Sequence, residues 1–429
     1  MNSVGAPWAS IGEPGSRPRL RGVQRCDVAI IGAGLTGLST AMELLDRDPD
    51  RRIIMIEADH VAAGGSGRGT GLLGPRVGPA LTVARRRYGD DVARAAYLWS
   101  TRAVRHVLDL VERLGISCDL TRGSQLVAAL GDQAAADQER EADAARALGL
   151  PVTFVGRAEL PAVAARYASG LRYGPAATLD PSALTGALAR LGEQRGLTIF
   201  ERSPVRDIRR GLLTTVAADD GEVVAEQVIV AVNGFGGTMG TTPGVLGLRV
   251  QAGVTEKLPQ RALDALDGLC AEPLIEASQL SPYYRLTPDG RLVVGGGAVA
   301  RGAFGSIAPA PGKLRAAVRR LSPTLARVDI ESTWAGPIGM TRDGLPVVGR
   351  APDHPRVFYA GGCNGHGLAV SIYNGAELAR LIAGDAPLTG EEGPADMPWL
   401  RSRAPWVPHG RMVDRLLDRY LAQLTAKAG

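Results

Sequence analysis

The sequence predicts an α/β fold of the α+β two-domain kind, in which a Rossmann-like domain is interleaved with a second domain built on a mostly antiparallel sheet. Three observations support this prediction. A strand, a glycine turn and a helix follow one another around residue 30, and a second such unit lies more than 300 residues later. Strand and hairpin patterns fill the chain between them, and 429 residues are too many for one simple core.

The first unit begins at residues 28–31, an apolar run typical of a parallel strand buried on both faces. Gly32, Gly34 and Gly37 then form Gly-x-Gly-x-x-Gly. The first glycine makes the turn, the second lets a pyrophosphate approach the backbone, and the third lets helix and strand pack closely. The helix that follows points its free N–H groups and positive dipole end at that pyrophosphate.

A second apolar strand, residues 53–56, leads into Glu57, which lies 20 residues beyond Gly37. An acid that hydrogen-bonds a ribose is expected at this position. A glycine triplet alone is weak evidence and could be a turn without a ligand. With two strands, a helix and a terminal acid in register, the pattern predicts a bound adenine dinucleotide.

Composition excludes several classes. The formal charge of +5 is small and dispersed, so it indicates solvated faces and no nucleic-acid partner. No apolar run reaches the length of a membrane span, and the first 25 residues lack the apolar centre of a secretion signal. The four cysteines are far apart and the histidines show no ligand spacing, which favours a cytoplasmic protein without a metal site.

Between the two units the patterns predict further elements. Helices are expected over residues 80–114, 132–148, 181–196 and 312–321, and strands over 197–201, 205–209, 213–217 and 228–232. A hairpin is expected to turn at Pro288-Asp289-Gly290. The second unit is the strand 357–360, the run Gly361-Gly-Cys-Asn-Gly-His-Gly367 and a helix after it. A last amphipathic helix, residues 411–426, would pack on the body, on a twin subunit or on a membrane.

Together these pieces resemble the D-amino-acid oxidase-like superfamily of FAD flavoproteins over roughly residues 18–385. The first glycine unit with Glu57, the run Gly65-Ser-Gly-Arg-Gly-Thr-Gly71 and the run 361–367 carry the resemblance. Among the members, the likeness is to γ-glutamylputrescine oxidoreductase-, glycine oxidase- and sarcosine oxidase-like proteins. The segment 334–349 is similar to the stretch before the last motif in the first of these groups.

The resemblance implies a domain division and a cofactor site. The FAD-binding domain would comprise residues 26–78, 170–242 and 336–385, the substrate domain 79–169 and 243–335, with an N-terminal arm at 1–25 and a tail and helix at 386–429. Gly32, Gly34 and Gly37 would hold the FAD diphosphate, Glu57 the ribose and Val205 the adenine. The other expected FAD contacts are Leu35, Thr36, Ala58, Gly65, Ser66, Gly67, Arg68, Gly69, Thr70, Gly71, Asn233, Gly234, Gly336, Gly362, Asn364, Gly365, His366, Gly367 and Leu368.

Departures from the family pattern narrow the prediction. Sarcosine oxidase-like members have a substrate-binding lysine where this chain has Ala369, and an oxygen-activating lysine near the position of Val293. Their flavin-linking cysteine would fall near Gly336, and the FAD-anchoring histidine of dimethylglycine dehydrogenase-like members has no counterpart at Gly69. We therefore expect non-covalent FAD and a substrate that is not clamped as a small α-amino acid.

The resemblance implies oxidation of a primary or secondary amine to an imine. FAD would supply the reactive atom for this step. A neutral amine in a desolvated site needs no strong base. The expected catalytic residues are His366, Arg68, Tyr283 and Tyr284, although His366 and Arg68 could be structural and the tyrosines core residues. Gln251, Trp334 and Cys363 are weaker candidates.

Electrons would leave to oxygen, a quinone or an electron-transfer protein, since there is no second dinucleotide unit for a nicotinamide. The alternatives are a 2-hydroxy-acid dehydrogenase on the same fold and a non-catalytic flavin-holding subunit. The protein would be a monomer or a homodimer.

Overall fold

A computed structural model describes residues 17–209, 211–236, 244–277, 282–301, 310–351 and 354–385. Its helices, in chain order, are α1 Leu35–Arg47, α2 Gly65–Arg68, α3 Leu81–Tyr88, α4 Asp90–Arg113, α5 Asp132–Ala147, α6 Pro181–Gln194, α7 Gln260–Ala265, α8 Pro311–Leu321 and α9 Gly367–Ala383. Most of the predicted N-terminal arm and all of the predicted tail and C-terminal helix lie outside the described residues. Within the described ranges, no helix is long and apolar enough to cross a membrane.

The first sheet contains the Rossmann-like part of the chain. Its strands are β1 Gly22–Ile31, β2 Ile53–Ile56, β7 Thr198–Phe200, β8 Val205–Arg209, β9 Thr214–Ala218, β10 Gly221–Val230, β16 Val347–Ala351 and β17 His354–Gly361. The order is β16-β17-β10-β1-β2-β7, with β9 and β8 attached at β10. The central strands β17, β10, β1, β2 and β7 are parallel.

The register of this sheet brings the two glycine turns together. Ile31 at the end of β1 is paired with Val230 of β10, which is paired in turn with Tyr359 of β17. Because carboxyl ends of parallel strands meet at one edge of a sheet, the turns that follow β1 and β17 leave the sheet side by side. The two units that lie far apart in the sequence therefore adjoin in space.

The helices that follow the two turns also touch each other. The Ser39 hydroxyl of α1 donates a hydrogen bond of 2.8 Å to the Ile372 carbonyl of α9. A Cβ placed on Gly375 of α9 would lie only 2.6 Å from the Ser39 Cβ, so the glycine permits this close approach. The contact between the two units thus extends along their helices.

The second sheet is mostly antiparallel, as predicted. Its strands are β3 Leu72–Leu73, β4 Thr121–Ala129, β5 Val152–Gly156, β6 Ser169–Thr178, β11 Leu246–Lys257, β12 Leu274–Glu276, β13 Tyr283–Leu286, β14 Arg291–Arg301 and β15 Ile330–Met340. The order is β15-β11-β14-β13-β12-β4-β6-β3, with β5 on β6, and β12 with β4 is the parallel pair. The hairpin predicted at residues 288–290 joins β13 to β14.

The helix predicted over residues 80–114 is wrong as a single element. The chain forms α3 and α4 with a break at Gly89, whose φ is +84°. The three- and four-residue apolar spacing continues through the break, so periodicity alone hid it. Asp90 and Asp91, which begin α4, are the local sign of a new helix start because acids favour the positive end of the dipole.

Sheet membership and the predicted domain segments do not coincide everywhere. β3 and β6 fall in the segments 26–78 and 170–242 assigned to the FAD-binding domain, yet both pair in the second sheet. The long helix α4, assigned to the substrate domain, packs on α9, where Trp99 meets the ring of Tyr373 edge-on at 5.2 Å. The domain bounds stay a prediction.

Candidate active site

A cavity of about 940 Å³ is lined by residues of both sheets. The first sheet contributes Ile31 and Ile56 at the carboxyl ends of β1 and β2, and the second contributes Gln125 of β4 and Tyr283 of β13. The volume lies at the upper end of the range of ligand sites, which is about 300–1,000 Å³. The cavity is large enough for a large ligand, and both glycine turns open into it.

The first glycine turn is shaped by sterics that side chains would violate. Gly32 has a φ of +103°, and a Cβ on Gly37 would lie 2.2 Å from the Gly32 carbonyl oxygen. The N-cap residue of α1, Gly34, has no side chain of its own to cap the helix. The first turn of a helix leaves N–H groups without partners in the helix, so this end of α1 suits an anion such as a diphosphate.

Glu57 sits beside this turn at the end of β2. Its carboxylate accepts the N–H of Ala33 at 2.8 Å and the N–H of Asp59 at 3.0 Å, one on each oxygen. Burial raises the pKa of Glu57. Each carboxylate oxygen has further lone pairs, so Glu57 can still accept hydrogen bonds from a ribose.

The short helix α2 forms the next part of the wall. The Ser66 hydroxyl accepts the N–H of Leu35 at 2.9 Å, which joins α2 to the start of α1. From the other side, the Trp334 indole N–H donates to the Arg68 carbonyl at 3.0 Å. Gly336 packs against Arg68, since a Cβ there would lie 3.2 Å from the Arg68 Cβ.

The second glycine turn is tied to the end of β10 and to the loop after β15. Asn233 accepts the N–H of Gly362 at 2.9 Å and donates from Nδ2 to the Cys363 sulfur at 3.0 Å. The Asn364 side-chain oxygen accepts the N–H of Thr341 at 2.8 Å. Asn233, Cys363 and Asn364 thus hold the turn in place.

His366 occupies the N-cap position of α9 and is half-buried. Its Nδ1 lies 3.2 Å from the Asn364 carbonyl oxygen, which can only accept, so Nδ1 carries the proton. Burial, and secondly the charge of Arg76, lower the pKa of His366 to about 4. The imidazole is therefore neutral at pH 7, and its Nε2 is a hydrogen-bond acceptor.

Four arginines line the cavity: Arg206, which pairs with Asp219, and Arg68, Arg76 and Arg249. Arg76 lies over the ring of Tyr173 at 5.4 Å, and among the described residues no carboxylate pairs with it. Burial and the neighbouring Arg68 lower the pKa of Arg249. The sequence argument missed Arg76 and Arg249; only the nearby glycine-rich run could have indicated the first, and no sequence signal indicated the second.

The two tyrosines of β13 have different environments. Tyr283 lines the cavity, with its ring lying over Gly295, where a Cβ would come within 2.0 Å of the Tyr283 hydroxyl. Tyr284 is fully buried on the opposite face, and its hydroxyl donates to Glu276 at 3.3 Å. The geometry therefore leaves Tyr284 in the core of the second sheet, away from the cavity.

The residues that were expected to contact FAD also fall into two groups, those that line the cavity and those that do not. The cavity is lined by Gly32, Gly34, Leu35, Thr36, Glu57, Ala58, Gly65, Ser66, Arg68, Gly69, Thr70, Gly71, Val205, Asn233, Gly234, Gly336, Asn364, Gly365, His366, Gly367 and Leu368. Gly37, Gly67 and Gly362 do not line it. They lie behind the wall, where Gly37 and Gly67 let backbone segments approach each other.

The family described as FAD dependent oxidoreductase matches residues 27–381. The chain belongs to this family. The γ-glutamylputrescine oxidoreductase of Escherichia coli (strain K12) is 28% identical over 372 residues, which cover 84% of each chain. The glycine oxidase of Geobacillus kaustophilus (strain HTA426) is 26% identical over 370 residues, covering 83% of this chain and 93% of the relative.

The solved structure of glycine oxidase from Geobacillus kaustophilus has the same fold. Its TM-score is 0.73 at 23% sequence identity, and the match covers 89% of this chain and 99% of that one. The predicted fold class and the predicted superfamily are confirmed. This FAD-dependent oxidoreductase also fits its cofactor, because the start of α1, the turn with Gly32 and Gly34, and Glu57 meet at one cavity wall.

Proposed function

We propose that this FAD-dependent oxidoreductase oxidises the C–N bond of a primary or secondary amine. The carbon loses a hydride and the nitrogen a proton, and water hydrolyses the resulting imine to a carbonyl compound and the released amine or ammonia. FAD, when bound, supplies the two-electron acceptor for that hydride. The observation that carries the proposal is the charge of the cavity wall.

The described carboxylates of that wall, Glu57 and Asp59, both follow β2, where the ribose is expected. Elsewhere the charged residues of the wall are arginines, including Arg68, Arg76 and Arg249. Positive neighbours and burial lower the pKa of a bound amine. The wall therefore favours the neutral amine, which is the form that can lose a hydride.

His366 supplies the matching acceptor. Its Nε2 is unprotonated because the pKa is lowered to about 4, and the hydrogen bond from Nδ1 to Asn364 fixes the ring tautomer. This nitrogen can accept a hydrogen bond from a substrate N–H and can take up its proton. Both roles require the neutral imidazole, which the lowered pKa provides.

Arg76 supports a substrate that also bears a carboxylate, because a guanidinium matches a carboxylate with two hydrogen bonds. Ala369 and Val293 are buried in the core, so the two lysine positions of sarcosine oxidase-like members contribute no polar group here. The names of relatives agree with an amine: they act on γ-glutamylputrescine, glycine and, for the Rhizobium meliloti subunit beta, sarcosine.

For the cofactor, Gly32 and Gly34 with the start of α1 would hold the diphosphate and Glu57 the ribose. The N-cap residue of α9 makes no side-chain capping hydrogen bond, so this helix end would stabilise negative charge close to it on the cofactor. We propose that FAD is held without a covalent bond, and acid precipitation that releases all the flavin would support this. The four cysteines are unpaired, which supports the cytoplasm as the compartment.

The experiment mixes the yellow holoenzyme anaerobically with glycine, sarcosine, putrescine, γ-glutamylputrescine and, separately, 2-hydroxy acids. Bleaching of the flavin absorbance by an amine is the expected result. Bleaching by 2-hydroxy acids alone would replace the proposal with the hydroxy-acid dehydrogenase, and no bleaching with any compound would favour a flavin-holding subunit. Re-oxidation by oxygen, a quinone or an electron-transfer protein then identifies the acceptor.

A further inference from the structure

Arg76 and Arg206 both line the cavity, but the fold holds them in different ways. Arg206 pairs with Asp219 through two hydrogen bonds of 2.7 and 2.9 Å, so its charge is balanced within the fold. Arg76 has no carboxylate partner among the described residues, and its guanidinium lies over the ring of Tyr173 at 5.4 Å. The face of an aromatic ring attracts a cation but does not neutralise its charge. Arg76 therefore keeps a positive charge that a ligand can use.

The backbone on both sides of Arg76 is fixed. Before it, Leu73 of β3 is paired with Ala177 of β6. After it, the N–H of Gly78 donates to the Gly344 carbonyl at 2.9 Å. The fold therefore sets where the side chain of Arg76 begins. The guanidinium needs a further contact, because a long arginine side chain has many rotamers and loses much entropy when a ligand orders it.

Tyr173 provides a rigid surface for that contact. It lies on β6, where it is paired with Gln125 of β4 and with Val152 of β5. Only 7% of Tyr173 is exposed, and it packs in an apolar cluster that includes Tyr97. Because the ring is packed on a paired strand, it restricts the guanidinium of Arg76 and does not move with it.

The side chain of Arg76 borders the cavity, and that of Tyr173 lies behind it. Arg76 is half-buried and lines the cavity, whereas Tyr173 is buried and does not line it. The charge of Arg76 also contributes to the lowered pKa of His366, which lines the same cavity. Arg76 and His366 therefore lie near enough to each other to serve the two ends of one small ligand.

We propose that Tyr173 is a positioning residue for the substrate, because its ring holds the Arg76 guanidinium in place for a carboxylate. This inference rests on the proposed function, in which Arg76 binds that carboxylate. A group that is ordered before binding loses less entropy when the ligand arrives. A residue that does not touch the substrate thus sets the preference for amines that bear a carboxylate.

The test compares an amine that bears a carboxylate with its primary amide. The amine is the one among the carboxylate-bearing compounds named above that bleaches the wild-type flavin fastest, and the amide is glycinamide in the case of glycine. The two ligands have nearly the same size, but the amide has no negative charge. Each Kd comes from the concentration dependence of bleaching, or from the shift in flavin absorbance for a ligand that does not bleach.

Four holoenzymes are measured with both ligands: the wild type, Tyr173→Leu, Tyr173→Phe and Tyr88→Leu. The phenylalanine variant keeps the aromatic ring and loses only the hydroxyl. Tyr88→Leu is the matched control, because Arg87 lies over the ring of Tyr88 at 5.7 Å and neither residue lines the cavity.

Tyr173→Leu should weaken binding of the carboxylate-bearing amine about fivefold, as expected for the loss of one cation–π contact. Binding of the amide should change less than about twofold. Tyr173→Phe and Tyr88→Leu should both keep the wild-type ratio of the two Kd values. Equal losses for the two ligands in Tyr173→Leu, no loss for either, or the same loss of preference in Tyr173→Phe would overturn the inference.

Pentafluorophenylalanine at position 173 guards against misfolding of the leucine variant. It has nearly the shape of phenylalanine, but its fluorines withdraw electron density from the ring face and remove the attraction for a cation. Compared with Tyr173→Phe, it should lower the preference for the carboxylate over the amide. An unchanged preference in a protein with full flavin content would also overturn the inference.

The outcome separates this inference from the proposed function. If the wild-type flavin bleaches only with amines that have no carboxylate, the proposed function stands and this inference fails. If the wild-type flavin bleaches with no amine, the proposed function fails first and takes this inference with it.

Discussion

Replacing Gly37 with alanine tests the close packing of α1 on the turn that follows β1. The added Cβ would lie 2.2 Å from the Gly32 carbonyl oxygen and 3.2 Å from a methyl carbon of Ile30. A normal contact needs about 1 Å more than the first distance. Neither side can yield easily, because β1 lies between β10 and β2 and α1 is held by α9.

Overpacking of a buried site usually costs about 1–3 kcal/mol. The added Cβ is fixed to the backbone of α1, and the oxygen that it meets is itself a backbone atom. We therefore expect Gly37→Ala to lower the free energy of unfolding of the apoprotein by about 3 kcal/mol, a large part of the stability of a typical protein. The same shift would move the N–H groups of α1, so the purified variant should also contain less FAD.

Urea unfolding monitored by circular dichroism measures the loss of stability, and the ratio of flavin to protein absorbance measures the loss of FAD. Gly312→Ala in the first turn of α8 is the control, because no atom lies within 4 Å of its added Cβ. It should be unchanged or up to about 1 kcal/mol more stable. A Gly37→Ala apoprotein within about 0.5 kcal/mol of wild type would refute the packing argument.

Three further outcomes are expected. Gly34→Val should yield a colourless but folded protein. The added side chain would block the diphosphate, whereas the nearest protein atom to the added Cβ is the movable Ser66 hydroxyl at 2.8 Å. Full flavin content by absorbance would contradict this. Glu57→Gln should weaken FAD binding about tenfold by fluorescence titration, since one charged acceptor is lost; an unchanged Kd would remove Glu57 from the ribose site. The pKa of His366 is lowered to about 4 in the folded chain. Between about pH 6.5 and 4, His366 is therefore protonated in the unfolded chain and neutral in the folded chain. From pH 7 to pH 5 the free energy of unfolding of the apoprotein should therefore fall further in wild type than in His366→Asn, by up to about 2 kcal/mol. Equal decreases in the two proteins, measured by urea unfolding, would argue against a buried neutral imidazole.

The cofactor-binding units were predictable because their signals are local. Gly32 needs a left-handed backbone, the strands 28–31 and 53–56 are uninterrupted apolar runs, and Glu57 follows at a fixed distance. Each of these features is a property of a few neighbouring residues. The helix break at Gly89 shows the limit of such signals, because an apolar stripe can continue across two helices.

The substrate end of the cavity could not be predicted in this way. Strand alternation alone put Tyr283 and Tyr284 on opposite faces, but which face meets the cavity depends on how the two sheets pack. Arg76, Tyr173 and Arg249 come from separate parts of the chain with no common motif. Their meeting is fixed by long-range strand pairing and by burial, which are properties of the folded chain and leave no periodic or spaced pattern in its sequence.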